Sequence, residues 1–438
     1  MNKQLGIGIG LIAAAAVIAI VAFSFYNPDG ESSDNGERDL TPMEPGPQAR
    51  NGGGDGEEAG DGEEGNGGTP AIDGPHLETA QELLNGGLNW LLANRIDGGW
   101  GETGKPTRPA YTAMGIKALV QHPDFDTDSP EVKQALGVLM DYAKPDGGIY
   151  DQGYENYCTS IALMALAAVD DPKYDEAMSN AVKFLKGIQI RVGETTEGGE
   201  EEQEITEDHP FRGGTSYGHH GRPDLSNLSM TAQAMKDAGV PEDDEFWREA
   251  VVFLERTQNR SESNDRAWVA DGPDDGGFVY APATRQGRLA TPESKASPDD
   301  IGTRSYGSMT YAGFMSMLYA GVDRDDPRVR AAYDWIRTYW RLDSNPNMPN
   351  VKSHQGLYYY YHTFAKALRA WGQPVITDVR GNDHNWRHEL VDALAERVQD
   401  NEDEPGVHWV NEKAERWKEG NPLLATLYSV LALEEVLK

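Results

Sequence analysis

Two hydrophobic patterns alternate along the chain. In one, apolar residues recur at three- and four-residue spacing with charges between them, as Val251, Val252 and Leu254 do beside Glu249 and Arg256. That is the stripe of an amphipathic helix covering a core. In the other, nearly every position is small or apolar, as in Ile161–Ala168 and Leu423–Leu433. A helix apolar all round is buried on all sides. Paired in order, the segments predict six helix–turn–helix units. They are Ala80–Asn94 with Tyr111–Gln121, Val132–Tyr142 with Tyr157–Val169, Tyr174–Gln189 with Leu225–Ala238, Glu245–Gln258 with Ser308–Ala320, Val329–Tyr339 with Tyr359–Trp371, and Trp386–Val398 with Leu423–Leu437. Gly-rich turns such as Asp97-Gly98-Gly99-Trp100 and Asp275-Gly276-Gly277-Phe278 join the members of a pair. No strand alternation stands out. The expected fold is all-α, an α/α toroid of about six hairpins with amphipathic helices outside. An open solenoid of six pairs satisfies the same periodicity.

The first 75 residues read differently. Gly6–Phe23 is an almost unbroken apolar run, preceded by Lys3 and followed by Asp29, Glu31 and Asp34. It is long enough to span a bilayer, and the lysine before it places the amino end in the cytoplasm. An uncleaved single-pass anchor is the preferred reading over a cleaved signal peptide. The stretch after it, including NGGGDGEEAGDGEEGNGG, has too few large apolar residues to offset its chain entropy. The division is therefore 1–26 membrane anchor or signal segment, 27–75 disordered acidic Gly-rich linker, and 76–438 toroid. The toroid is expected outside the cytoplasm.

Composition narrows the partners. Lys+Arg 39 against Asp+Glu 72 gives a formal charge of −33 in 438 residues. Such a surface disfavours nucleic acid, whose phosphates are bound by clustered cations. The single cysteine, Cys158, excludes an intrachain disulfide and a Cys-rich zinc site. It begins an apolar helix and reads as a buried thiol. No cofactor and no metal site is expected. The acidic pairs before outer helices, such as Asp171-Pro172 and Asp326-Pro327, read as helix N-caps with proline in the first turn.

The segment Gly87-Leu-Asn-Trp-Leu-Leu-Ala-Asn-Arg-Ile-Asp-Gly-Gly-Trp-Gly101 resembles the QW-type repeat of squalene and terpenoid cyclases, with Asn94 in place of the glutamine. Gln189 and Gln258 sit at comparable places. Tyr111-Thr-Ala-Met-Gly-Ile-Lys-Ala-Leu119 is similar to the inner helices of protein prenyltransferase β subunits. The resemblance covers the repeat region and implies an α/α toroid. For activity it implies a diverged cyclase-like isomerase, lyase or transferase acting on an isoprenoid or other apolar ligand in a central cavity. The families' signature acids and zinc ligands do not carry over. Asp299-Asp300-Ile-Gly-Thr303 lacks the first acid of the cyclase motif, and Tyr361-His362-Thr363 has no Asp-x-Cys partner. A non-catalytic ligand- or protein-binding scaffold and a carbohydrate-processing toroid therefore stay open beside the enzyme.

Two polar clusters precede inner helices. Tyr217–Asn227 carries His219, His220, Arg222, Asp224 and Asn227. Histidine moves protons near neutral pH, Asp224 could orient a histidine or act as an acid, and a helix N-terminus with Arg222 nearby is also an anion site. His354–Thr363 carries His354, four tyrosines including Tyr358 and Tyr359, and His362. Only one or two of four consecutive tyrosines on a helix can face a cavity. Asp224, His220 and His362 are the candidate catalytic residues. His219, Arg222, Asn227, Tyr306, His354, Tyr358 and Tyr359 are the candidate ligand contacts. Tyr111, Tyr154, Tyr311 and Trp386 are lesser candidates for the same rim. The two clusters are expected to share one pocket.

Overall fold

The computed structural model describes residues 72–102, 104, 108–196, 203–219, 221–284, 290–401 and 403–438. The apolar run Gly6–Phe23 and nearly all of the linker lie outside the described residues. Among the described residues no helix is long and apolar enough to cross a membrane.

Twelve α-helices form among the described residues. The outer members are α1 (Gly74–Ala93), α3 (Pro130–Met140), α5 (Asp175–Gly187), α7 (Glu245–Thr257), α9 (Pro327–Thr338) and α11 (Trp386–Ala395). The inner members are α2 (Pro109–Gln121), α4 (Glu155–Val169), α6 (Leu225–Asp237), α8 (Gly307–Tyr319), α10 (Leu357–Trp371) and α12 (Pro422–Leu437). The inner helices touch in the order α2, α4, α6, α8, α10, α12, and α12 packs back on both α1 and α2. The ring is therefore closed, which settles the choice the periodicity left open. The first helix starts at Gly74, six residues before the expected Ala80, with Pro75 in its first turn. Three two-stranded ribbons decorate the loops: β1 (Thr195–Thr196) with β2 (Gln203–Glu204), β3 (Val375–Thr377) with β4 (Asp383–Asn385), and β5 (Gln399–Asp400) with β6 (Val407–His408).

Repeated side-chain devices hold the hairpins. Thr112, Thr159, Thr310 and Thr426 on inner helices accept the backbone N–H of Trp100, Ile149, Phe278 and Trp409 in the preceding turns, at 3.0–3.2 Å. Gln258 donates to Gly276 O in its own turn and to Arg328 O at the start of the next outer helix, at 2.9 and 2.8 Å. Gln189 does the same with Gly213 O and Phe246 O. In the first hairpin that place is taken by Arg95, whose guanidinium reaches Gly98 O and Glu131 O. Asn94, expected to replace the glutamine, turns back to Trp90 O within its own helix. Gly213 and Gly276 have φ of +81° and +77°, and a Cβ at either would strike a carbonyl of the next outer helix. The turns can therefore dock only as glycine. Three of the acidic clusters cap as expected, whereas Ser129, which follows Asp124, Asp126 and Asp128, makes no side-chain cap at the start of α3. Asp171, Asp244 and Asp326 accept the N–H of Lys173, Phe246 and Arg328.

Candidate functional site at the N-terminal end of the inner barrel

All six hairpins contribute side chains where the inner helices begin. Tyr157 on α4 is hydrogen-bonded to Ser226 on α6, whose Oγ lies 3.1 Å from the Tyr359 hydroxyl on α10. Tyr157 stacks on Tyr217, with ring centroids 5.6 Å apart. Tyr217 and Tyr280 bring their hydroxyls to 3.4 Å. Tyr359 meets Tyr428 of α12 edge-on. Tyr111 of α2 and Tyr306, which precedes α8, complete the set through their electrostatic contact with Tyr428 and Tyr359. Tyr157, Tyr217 and Tyr359 are half-buried, whereas Tyr280, Tyr306 and Tyr428 are buried. Desolvation raises the pKa of all these hydroxyls, so they stay neutral donors.

Asp224 sits beneath this wall. It is fully buried and is the N-cap of α6. Its two oxygens accept the Asn227 N–H and the Asn227 amide, both at 2.9 Å. Desolvation raises its pKa, against the opposing pull of Arg222 and these hydrogen bonds. The same surroundings therefore favour the held proton and stabilise the carboxylate left behind. Glu419 is a second buried acid. It accepts the Tyr359 N–H at 2.8 Å and the Asn411 amide at 2.7 Å, which fixes the start of α10. Desolvation pushes it up to about 7.

An ionic band borders the tyrosines. Arg222 pairs with Glu293 at 3.2 Å, and Lys295 reaches Glu293 at 2.6 Å and Asp300 at 3.1 Å. Lys352 and Arg416 meet the same Asp300 at 3.2 and 2.7 Å. Arg222 and Lys295 both lie over the Tyr280 ring, 5.5 and 4.7 Å from its centre. Asp300, the residue nearest to a cyclase-type acid in sequence, is held ionised by Lys295, Arg416 and Lys352, although desolvation works the other way.

The expected residues divide sharply. Asp224, Arg222, Tyr306 and Tyr359 belong to this end of the barrel. Asn227 touches Asp224 but spends its amide on Asp224 and Asn156, so it ties α6 to α4. His362 is one turn further along α10, against Tyr428 at 5.6 Å. Desolvation, then Lys366 and Lys117, push it down to about 3, so it is neutral, and the charged groups acting on it are Lys366, Glu435, Lys117 and Asp237. His219 turns outward and packs edge-on against Phe184 of α5. His354 lies beside Lys413, and Tyr358 donates outward to Val410 O. Neither faces the centre, because a 100° turn per residue leaves only Tyr359 of the four tyrosines pointing inward. Tyr311 and Trp386 are core residues. Tyr154 is exposed against Tyr217, and His220 lies outside the described residues.

Sequence reasoning missed Glu293, Lys295 and Glu419, which come from irregular loops without periodicity. It also missed Tyr280 and Tyr428, which look like core. Cys158 is buried, and its thiol is pushed up to about 12. Among the described residues no group of three His, Cys, Asp or Glu is placed to hold a metal. A concavity of about 620 Å³ lies outside the ring between α3 and α5, lined by Asp128, Lys133 and Tyr174, with no buried acid among its lining.

No family model matches the sequence, and no curated protein matches it. Solved structures do. The GH76A α-1,6-mannanase from Salegentibacter sp. HEL1_6 aligns with TM-score 0.50 at 10% identity, over 82% of this chain and 98% of that one. The type II terpene cyclase MstE from Scytonema gives 0.47 at 14%, over 82% and 98%. Cellobiose 2-epimerase from Spirochaeta thermophila DSM 6192 gives 0.47 at 13%, over 83% and 97%. At these identities the likeness is one of fold, and the chain is an α/α toroid, as its repeats imply.

Proposed function

We propose that the chain is a diverged toroid enzyme that takes an isoprenoid or other apolar-bodied substrate against the tyrosine wall and protonates it. The observation that carries this reading is a fully buried Asp224, its pKa raised by desolvation, capping α6 at the foot of a wall of neutral tyrosines. In the proposed relay Tyr280 accepts the Asp224 proton as it passes its own to Tyr217, 3.4 Å away, and Tyr217 passes its own to the substrate, so both hydroxyls stay neutral and one proton is transferred. Arg222 and Asn227 compensate the carboxylate that forms. Positive charge developing on the substrate faces electron-rich ring surfaces, as the Arg222 and Lys295 cations already do at Tyr280.

Farnesol in nonionic detergent tests the reading. Saturable quenching of intrinsic fluorescence is expected, weakened about tenfold in Tyr157→Ala/Tyr359→Ala, which is ~1.4 kcal/mol. In heavy water, farnesol should gain deuterium at an alkene carbon, and Asp224→Asn should abolish the gain. Absence of saturable binding and of deuterium uptake overturns the proposal. Binding of mannobiose in place of farnesol replaces it with a carbohydrate-processing reading.

We also propose that Gly6–Phe23 anchors the toroid outside the cytoplasm, on the strength of the apolar run after Lys3. External protease should digest the toroid in intact spheroplasts, and its protection there reverses the orientation.

A further inference from the structure

The ionic band has a charge balance opposite to that of the whole chain. Overall, acids outnumber Lys and Arg by 72 to 39. In the band, four cations, Arg222, Lys295, Lys352 and Arg416, pair with two carboxylates, Glu293 and Asp300; counting Asp224, which also acts on Arg222, there are four cations to three acids. The four come from different loops, before α6, α8, α10 and α12, so no local sequence run explains their meeting. Their side chains keep 11–26% exposure and so remain reachable. The buried Arg222 Nε has no acceptor, and neither has the buried Thr284 hydroxyl beside Ala283, whose carbonyl receives Arg222. The inner helices also begin at this end, so their dipoles add positive potential. A structural ion-pair network needs no surplus of cations. A receptor for an anion does, because the ligand supplies the missing charge.

We propose that the band binds an oxyanion head group of the substrate, carboxylate or phosphate, whose apolar body lies on the tyrosine wall. This rests on the reading of the wall as the substrate site. The neutral tyrosines take the body. The guanidiniums and ammoniums take the head, where a planar guanidinium edge such as that of Arg222 suits two oxygens at once.

The test compares three probes with one body: farnesol, farnesoic acid and farnesyl monophosphate, titrated against the full chain in the same detergent at low and high salt. The anions are expected to bind at least about tenfold more tightly than the alcohol at low salt, an advantage that shrinks as salt rises. Lys352→Met and Lys295→Met should each bring the anion-to-alcohol affinity ratio toward one. The ratio is internal to each variant, so it does not depend on equal folding yields, and a second variant covers the case in which one fails to fold. Comparison of the two anions shows which oxyanion is preferred. If the alcohol binds as tightly as both anions in the unaltered chain, the head-group proposal is overturned while the wall reading stands. If none of the three binds, both fall together.

Discussion

The two ends of the inner barrel handle buried polar groups by opposite means. At the N-terminal end tyrosine hydroxyls and Ser226 are hydrogen-bonded in a chain near the buried Asp224, whose pKa desolvation raises, and the ions stand at the edge. At the C-terminal end the helices converge on a cavity of about 360 Å³ lined by charged side chains. There Lys117 and Lys366 lie 2.7 and 4.0 Å from one Asp237 oxygen, while Arg369 and Lys438 share Glu435 at 3.4 and 3.3 Å. Helix dipoles account for part of this, since cations are favoured where helices end. The rest concerns use. Paired ions lock their neighbours in place, whereas neutral donors and ring faces accept an apolar body without stripping water from a charge.

The sharpest test sets one end against the other. Asp224→Ala should cost ~2–4 kcal/mol in urea unfolding, because it removes a buried cap and strands the Asn227 N–H and amide donors. Lys366→Met should cost less, ~1 kcal/mol, because Asp237 keeps Lys117. The reverse order would break the contrast.

A pH series gives the next largest effect. Desolvation pushes Glu434 at the ionic end up to about 7, and its Oε1 has no partner. A raised carboxyl adds stability that is full below its unfolded value near 4.5 and is lost as pH rises through about 7. Glu434→Gln removes that loss. The variant should gain on the parent between pH 4.5 and 7, reaching ~1–2 kcal/mol at pH 8 in melting experiments. A constant difference across the range would show that the acid is already ionised. His362 has the opposite sign. Held neutral, it adds stability above its unfolded value near 6.5 that is lost as pH falls toward 3. His362→Gln should flatten the acid limb of the same curve.

The smallest effects separate inward from outward tyrosines. Tyr359→Phe loses the link to Ser226 and should cost ~1 kcal/mol in unfolding and weaken farnesol. Tyr358→Phe loses only a 3.4 Å bond to Val410 O and should change stability by less than ~0.5 kcal/mol with no effect on farnesol. Equal effects would mean that the wall is ordinary core.

The hairpins were legible because each is written locally: Asp275-Gly276-Gly277-Phe278 marks its turn, and the stripe of Val251 and Leu254 marks its outer helix. The site was legible only where a residue flanks a helix start, as Asp224 and Tyr359 do. His362 misled because sequence gives its helix face but not its depth along the barrel. Glu293, Lys295 and Glu419 were hidden because their partners are distant in sequence. Glu419 holds Tyr359 across 60 positions, and Arg416 holds Asp300 across 116. Arg95 was missed because the motif was read by residue type, while the structure uses any donor long enough to reach α3.

Closure of the ring also has a kinetic consequence. An open solenoid can nucleate in any repeat and fray from its ends. Here α12 packs on α1 and α2, and Trp90 bonds to Glu404 314 positions away, as Lys438 does to Gln121 at a separation of 317. Joining the first hairpin to the last requires closing nearly the whole described chain into a loop, an entropic barrier that grows with the logarithm of its length. High sequence separation of contacts goes with slow folding. The terminal hairpins, freed of their mutual seam, would expose two apolar flanks at once, so removing either one should disable the ring rather than shorten it.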